Sequence, residues 1–314
     1  MAKNKIDYTE ISSASVTEKR KIQLTCERIR AWYEWWDGQV YISFSGGKDS
    51  TVLLDIVRNV CGYDDVPAVF VDTGLEYPEI RDFVKTFENV EWLKPKKNFK
   101  QILRDYGYPL ISKNQSQYIR EVRNTKRQYL RDMRLNGKPY QIISHKYRFL
   151  LNAPFKVDNK CCLYMKKEPF KSYEKSTQRK PYLGILASES SQRTSNWVKS
   201  GCNAFYTKRP QSNPLSFWTE QDILEYIKQN DLPIAKIYGK IKEVNGQLIL
   251  TGNSRTGCMF CLYGCQYKSW DNLVRMKETH PNQYDYIMRP GKEGGLNYKK
   301  VIDYCNKHGM NIRY

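Results

Sequence analysis

The sequence predicts an α/β protein built on a doubly wound parallel sheet, with a cysteine-rich, mainly helical part towards its C-terminus. Three observations predict it. Short β-rich runs alternate with helical periodicity from Val40 to Leu93, glycine-containing turns directly follow two of those runs, and a cysteine loop leads into a helical tail.

The elements follow in order. Glu18 to Asp37 reads as a helix with Ile22, Leu24, Ile29, Trp32 and Trp35 among its apolar positions. Val40 to Phe44 is a strand ending in Ser45-Gly46-Gly47, and Val52, Leu53, Leu54, Ile56 and Val57 mark a buried helix. Pro67 to Val71 is a second strand closed by Asp72-Thr73-Gly74; Pro78 to Glu88 suits a helix and Val90 to Leu93 a third strand. In such sheets ligands sit beyond the carboxyl ends of the strands, where both glycine turns fall. Ser112 to Leu135 is basic and helical, strand character returns at Pro181 to Leu186, and Pro214 to Asn230 reads as a turn then a helix. Gly252 to Cys265 is a cysteine-rich loop, and a helical tail starts near Trp270. Three segments are expected: an N-terminal helical segment 1–38, a nucleotide-binding α/β domain 39–235 with a basic helical insertion near 112–150, and a cluster loop with helical tail at 236–314.

Lysine and arginine total 52 against 33 acidic residues, a formal charge of +19. Such an excess suits a polyanionic partner, whether nucleic acid or a multiply phosphorylated small molecule, although a generally basic surface gives the same composition. No apolar run approaches the roughly 18 residues a membrane span needs. Met1 to Lys5 leads into polar sequence without an apolar signal region, so a cytoplasmic location is expected. The nine cysteines are then thiols available for metal or redox chemistry.

Ser45-Gly46-Gly47-Lys48-Asp49-Ser50 follows a strand and opens a helix, the setting of a phosphate cradle. The glycines let the backbone turn and approach an anion. Helix-start amides, the Ser45 and Ser50 hydroxyls and the Lys48 ammonium could surround a pyrophosphate. A Walker A loop is excluded, because it needs glycine at 42 and serine or threonine at 49, where Ile42 and Asp49 stand. The competing explanation is a glycine turn that merely links strand to helix.

This hexapeptide resembles the pyrophosphate loop of ATP pyrophosphatases. Further segments resemble the phosphoadenosine phosphosulfate reductase family: Asp72 to Glu79, Gly184 to Arg193 with Glu189, Ser190 and Arg193 matching, and Pro214 to Ile223. The resemblance runs in family order from about residue 40 to 265. It implies an adenine nucleotide α-hydrolase-like fold, ATP with Mg²⁺ as nucleotide and ion, and a site of Ser45, Gly46, Gly47, Lys48, Asp49, Ser50, Asp72, Thr73, Gly74, Glu189, Ser190 and Arg193. Lys48, Asp49 and Asp72 carry the expected catalytic roles, with Asp49 or Asp72 as outer ligands of the Mg²⁺.

Five cysteines form two clusters, Cys161-Cys162 and Cys258-x-x-Cys261-x-x-x-Cys265. Thiolates ligate iron–sulfur clusters, four per complete site, and the same residues could hold zinc. Adjacent cysteines point differently, which suits a wide four-iron cluster better than one small ion. Cluster-containing adenylylsulfate reductases resemble this chain in having Cys-Cys, a long spacer and Cys-x-x-Cys; here the spacer runs from 163 to 257, 95 residues. That resemblance implies a [4Fe–4S] cluster on Cys161, Cys162, Cys258 and Cys261. Cys265 is left as a replacement ligand or sulfur carrier, and Cys26, Cys61 and Cys202 as structural.

Sulfonucleotide reductases use a cysteine in a C-terminal Glu-Cys-Gly-[Ile/Leu]-His motif, whereas the last cysteine here lies in Tyr304-Cys305-Asn306-Lys307-His308. Leu186 and Ala187 stand where that family commonly has basic residues, and the loop is intact where reductase loops are usually degenerate. These departures point towards ATP, as in cluster-dependent nucleic-acid thiolation enzymes and the adenylating component of DNA phosphorothioation. The expected function is adenylation of an acceptor, with nucleic acid as one candidate, for transfer of sulfur from a donor. A sulfonucleotide reductase working with a thiol reductant and releasing sulfite is a second reading. A non-catalytic nucleotide- and nucleic-acid-binding protein is a third. Arg120, Arg123, Arg127, Arg131 and Arg134 follow 3-4-4-3 spacing, within roughly 80° of one face of a continuous helix. They are expected either to track a phosphate backbone or to form a solvated face.

Overall fold

The computed structural model describes residues 17–314, so the first 16 residues of the expected segment 1–38 lie outside the described residues. In chain order the main elements are α1 (Glu18–Trp35), β1 (Val40–Ser43), α2 (Lys48–Asp55), β2 (Ala68–Val71), α3 (Pro78–Val84), β3 (Val90–Leu93), α4 (Phe99–Asp105), β4 (Leu110–Ile111), α5 (Lys113–Asn124) and α6 (Gln128–Asn136). There follow α7 (Glu168–Thr177), β5 (Lys180–Leu183), α8 (Ser191–Ser200), β6 (Asn203–Ala204), β7 (Gln211–Ser212), α9 (Glu220–Gln229), β8 (Ile241–Val244), β9 (Gln247–Leu250), β10 (Leu262–Tyr263), α10 (Asn272–Thr279), α11 (Pro281–Met288) and α12 (Tyr298–Lys307).

Two compact units divide the chain. One takes the described part of Met1–Asp72 with Glu76–Leu93 and Phe170–Thr256; the other takes Thr73–Leu75, Lys94–Pro169 and Gly257–Tyr314. The first helix is bonded into the sheet unit, and β4, the strand just before the basic helices, pairs in parallel with β10 of the cysteine region.

The first unit holds a six-stranded sheet of order β3-β2-β1-β5-β7-β6. Pairing is parallel except at the edge, where β6 runs antiparallel to β7. The register sets Ile42 opposite both Ala68 and Tyr182. Every residue of β2 is buried, as a strand covered on both faces requires. Strand order reverses direction between β1 and β5, and both the Ser45–Ser50 loop and the turn at Gly184 leave the sheet at that switch point.

Among the polar contacts that dock helix α1, two come from the segment that opens α9. Trp218 donates its indole N–H to Thr25 Oγ1 at 2.9 Å, and Lys21 Nζ lies 2.8 Å from both Asp222 carboxylate oxygens. Asp222 also closes a capping box with Thr219 at the start of α9. The Trp-Thr-x-x-Asp run within the Pro214–Ile223 segment is thus explained by helix docking.

The expected continuous helix from Ser112 to Leu135 is corrected to two. Thr125 is extended, at φ −81° and ψ 140°, and its hydroxyl accepts from the Arg127 amide. This local bond replaces a helical one. The arginines therefore do not form one ridge. Arg123 donates to the carbonyls of Ala153 and Phe155, Arg131 to that of Val122, and Arg134 to Glu121 and the Gln141 carbonyl. Arg120 pairs with Asp158 at 3.2 Å, and Arg127 is the residue preceding α6. Ile119 and Val122 of α5 are buried, whereas α6 buries no residue fully.

Lys21 is 3% exposed, so removing its counter-ion strands a buried charge at a typical cost of 3–5 kcal/mol. Urea unfolding should show Asp222→Ala losing about 3 kcal/mol or more, and Lys21→Met less than half of that. Equal losses would mean that the pair is not what holds α1.

Candidate functional site

The phosphate loop turns because Gly46 adopts φ +69°, a conformation that costs other residues about 1–2 kcal/mol. A Cβ there would lie 2.7 Å from Val84 and 2.9 Å from Ile80, so α3 closes on the turn. Gly47 caps α2 with extended backbone. On the sheet side, a Cβ on Gly184 would lie 3.0 Å from the Asp49 carbonyl, so β5 also presses on this helix start.

Hydroxyls hold the loop from within. Ser50 Oγ donates to the Gly47 carbonyl at 2.8 Å and accepts from the Ser45 amide at 3.2 Å, while Ser45 Oγ accepts from the Gly47 amide at 3.3 Å. The Lys48 amide donates to the Tyr238 hydroxyl at 3.1 Å, and that hydroxyl bonds Thr256 Oγ1 at 2.7 Å. Burial raises the Tyr238 phenol, which keeps it protonated near neutrality.

Lys48 is buried, and its ammonium lies 2.9 Å from Asp49 and 3.4 Å from Glu220. Burial pushes its pKa down, but Asp49, by charge and hydrogen bond, and then Glu220 outweigh that and raise it. The ammonium therefore stays charged beside the helix N-terminus, where an anion is favoured.

Glu189, Ser190 and Arg193 also belong to this unit. Ser190 caps α8 by accepting from the Arg193 amide, and Glu189 pairs with Arg193 and, at 3.5 Å, with Arg255. Burial and then repulsion from Arg255 lower the Arg193 guanidinium, and Asp49 opposes them. Loop carboxylate, Arg193 and Arg255 thus share one electrostatic neighbourhood. Asp72 ends β2 and pairs with Arg81 at 2.8 Å. Thr73 and Gly74 fall in the second unit; Thr73 Oγ1 accepts from the Leu75 amide at 3.1 Å, and Gly74 has φ +71°.

Sequence reasoning missed Tyr238, Thr256 and Arg255. Nothing in their local sequence marks them, since they reach the loop only through the fold. Glu220 lay within a quoted segment, between Thr219 and Asp222, without an assigned role.

In the second unit one cavity is lined by Cys161, Cys162, Cys258 and Cys261 with Leu75, Phe99, Pro109, Met165, Lys166 and Phe260. Cys161 donates to Cys162 across 4.0 Å. That bond pulls the Cys162 thiol down to about 6, against burial and helped by Lys113, Lys166 and Lys167. The same bond and burial push Cys161 up, with Cys162, Cys261 and Cys258 adding to the rise. Burial raises Cys261 to about 12. Among the described residues no three His, Cys, Asp or Glu side chains converge as ligands of one metal ion would. Four thiols around one mainly apolar cavity fit the donor chemistry of a multi-iron cluster, which spaces its ligands more widely than a single ion does.

Cys265 is outside that lining. It is buried and raised to about 11 by burial, and its thiol neighbour is Cys305, itself buried and raised to about 12. Cys26 pairs with Cys61, whose hydrogen bond lowers Cys26 to about 7, and Cys202 is buried; all nine cysteines are free.

The sheet, its switch point and the loop define a nucleotide-binding domain of the pyrophosphate-loop class. Residues 39–263 match the phosphoadenosine phosphosulfate reductase domain, and the chain belongs to that family. Two uncharacterized proteins of Methanocaldococcus jannaschii are similar, one 26% identical over 74% of this chain and 38% of its own length, the other 25% identical over 94% and 58%. The chain therefore spans well under two thirds of either relative. A phosphoadenylyl-sulfate reductase from Candida auris, solved as a phosphate complex, aligns over 75% of this chain and 99% of its own at 15% identity and a TM-score of 0.40. No helix among the described residues is long and apolar enough to cross a membrane.

Gly46→Ala should destabilise the protein by roughly 1–2 kcal/mol from the left-handed backbone and a further ~1–3 kcal/mol from overpacking against α3. Urea unfolding checks this, and a loss under about 0.5 kcal/mol, within the range of neutral surface changes, would show that the turn can relax.

Proposed function

We propose that this protein is an ATP-pyrophosphatase-type enzyme that adenylates an acceptor in preparation for sulfur transfer and carries a [4Fe–4S] cluster. The observation that supports it is the intact loop, with helix-start amides, paired hydroxyls and a buried, charged Lys48 gathered at the sheet's switch point. An acceptor oxygen attacks the α-phosphorus, the bond to the α–β bridging oxygen breaks, and pyrophosphate leaves with the electron pair. Lys48 and the amides of Gly47 and Lys48 stabilise charge on that leaving group, which is where preorganised donors contribute most. Arg193 and Arg255 complement the remaining phosphate charge. To accept pyrophosphate, Lys48 exchanges Asp49 and Glu220 for phosphate oxygens, and the Lys48 amide exchanges the Tyr238 hydroxyl.

Asp49 would hold a Mg²⁺, which would neutralise phosphate charge; Asp72 is engaged by Arg81. Cys161, Cys162, Cys258 and Cys261 would hold the cluster, which supplies electron transfer or a binding site for sulfur. A sulfur nucleophile from a donor then displaces AMP from the adenylated acceptor. The reductase reading is less well supported, because burial leaves Cys305 protonated at neutral pH and a thiol attacks as its thiolate.

Anaerobic protein given ATP and candidate acceptors should release AMP and pyrophosphate, and Lys48→Ala should lower that rate about a hundredfold or more, the usual cost of losing one preorganised charge-stabilising donor. Sulfite from phosphoadenosine phosphosulfate with no ATP cleavage would overturn the reading. Cys162→Ser should lose the visible absorption and the roughly four irons per chain, while Cys265→Ser keeps both. Full iron in Cys162→Ser would defeat the ligand assignment.

A further inference from the structure

The second unit contains a cavity of about 420 Å³ separate from the cysteine cavity. Arg120 and Arg123 of α5 face it from one side, with Lys156 and Lys160 from the segment before Cys161, and Tyr106 and Asp158 complete the part that matters. Asp158 is buried, and its Oδ1 accepts from the Asn159 and Lys160 amides and pairs with Arg120. That carboxylate is therefore already matched and organises the floor.

The other three cations have no carboxylate partner within ion-pair distance among the described residues. Arg123 donates to the Phe155 carbonyl at 2.7 Å and the Ala153 carbonyl at 3.2 Å, and Lys156 to those of Asp105 at 3.1 Å and Arg104 at 3.3 Å. Lys160 Nζ sits 4.8 Å from the centre of the Tyr106 ring. Carbonyls and a ring face orient these charges without neutralising them, so an arriving anion displaces no salt bridge. Tyr106 stacks on Tyr164 at 4.7 Å between centroids and 16° between planes, and donates its hydroxyl to that of Tyr164 at 2.8 Å. Lys97 lies 5.0 Å from the same ring but is matched by Asp105 of the cavity lining at 2.9 Å, so it is not among the unmatched charges. Unmatched cations grouped beside aromatic rings are what single-stranded nucleic acid uses, phosphates on the former and a base packed beside the latter.

We propose that this cavity docks a single-stranded segment of nucleic acid, by its phosphodiester groups on Arg123, Lys156 and Lys160. Its volume lies in the range that encloses one nucleotide-sized ligand, and a duplex, with its bases stacked inside, cannot present one there. The binding site stands on its own geometry; its meaning as the acceptor's site rests on the adenylation reading above.

The test is fluorescence anisotropy on full-length, anaerobically purified protein without ATP, using labelled single-stranded RNA and DNA of roughly 12 nucleotides from about 50 to 200 mM salt. Lys156→Ala/Lys160→Ala should weaken binding tenfold or more and flatten the log–log salt slope by about 1.4, two single-strand phosphate contacts at ~0.7 each. Lys242→Ala, on an exposed lysine of the β8–β9 hairpin, should do neither. If the double variant does not accumulate folded, Lys156→Ala alone should give about half the slope change. Unchanged affinity and slope in the lysine variants would overturn the proposal. So would binding of inorganic phosphate or AMP with no binding of oligonucleotide, or a duplex bound as tightly as its single strand. Because ATP is absent, failure of the wild-type protein to make AMP in the separate product assay would sink adenylation and leave this site standing.

Discussion

The close approach of one helix N-terminus to two strand ends is the constraint on which the nucleotide site depends. Helix α2 starts between β1 and β5, and neither side of that start has room for a Cβ. At Gly46 the intruding atom would meet Ile80 and Val84, and at Gly184 the backbone of Asp49 and Ser50. Given that approach, Lys48 is buried, its amide donates to the Tyr238 hydroxyl and that of Gly47 to Ser45 Oγ, and Ser45 and Ser50 bond across the turn. Were the helix withdrawn by one methyl's width, the same residues would form an ordinary solvated turn.

The loop is also a set of charges held in matched pairs. Lys48 sits with Asp49 and Glu220, and Glu189 with Arg193 and Arg255. Buried charge is tolerated only when partnered, so these carboxylates keep the cations charged and ordered. A polyphosphate brings the same sign of charge as the carboxylates it replaces. Binding then exchanges one partner for another and avoids desolvating a bare ammonium, and the partly exposed Glu220 is the partner most easily displaced.

Much of the sheet was legible because its strands are short, β-branched and bounded by glycine turns, and the loop because strand, glycines and helix occur in one contiguous stretch. What escaped was set by contacts distant in sequence. Tyr238 lies 190 residues from the Lys48 amide it accepts from, and no local pattern announces it. The basic helix misled for the opposite reason. Its periodicity runs unbroken through Thr125, but Thr125 Oγ1 accepts from the Arg127 amide where the helix breaks, and Arg123, Arg131 and Arg134 are tied to nearby carbonyls. Periodicity reports which face a helix would have, and cannot report whether the helix continues.

The cysteines show how burial sorts residues that spacing groups together. Cys265 continues the Cys258-x-x-Cys261 rhythm and looks like a fifth member of the set. Yet its thiol neighbour is Cys305, whereas Cys258 and Cys261 act electrostatically on Cys161. A thiol raised by burial with no cation nearby stays protonated and inert. Cys162, through the hydrogen bond from Cys161 first and then Lys113, Lys166 and Lys167, is drawn towards the thiolate that a metal requires. Those lysines follow or face the Cys-Cys pair, so in this chain the basic charge reads partly as counter-charge for thiolates. The cations with carbonyl partners around Tyr106 are a different part of the +19, because no thiol lines their cavity.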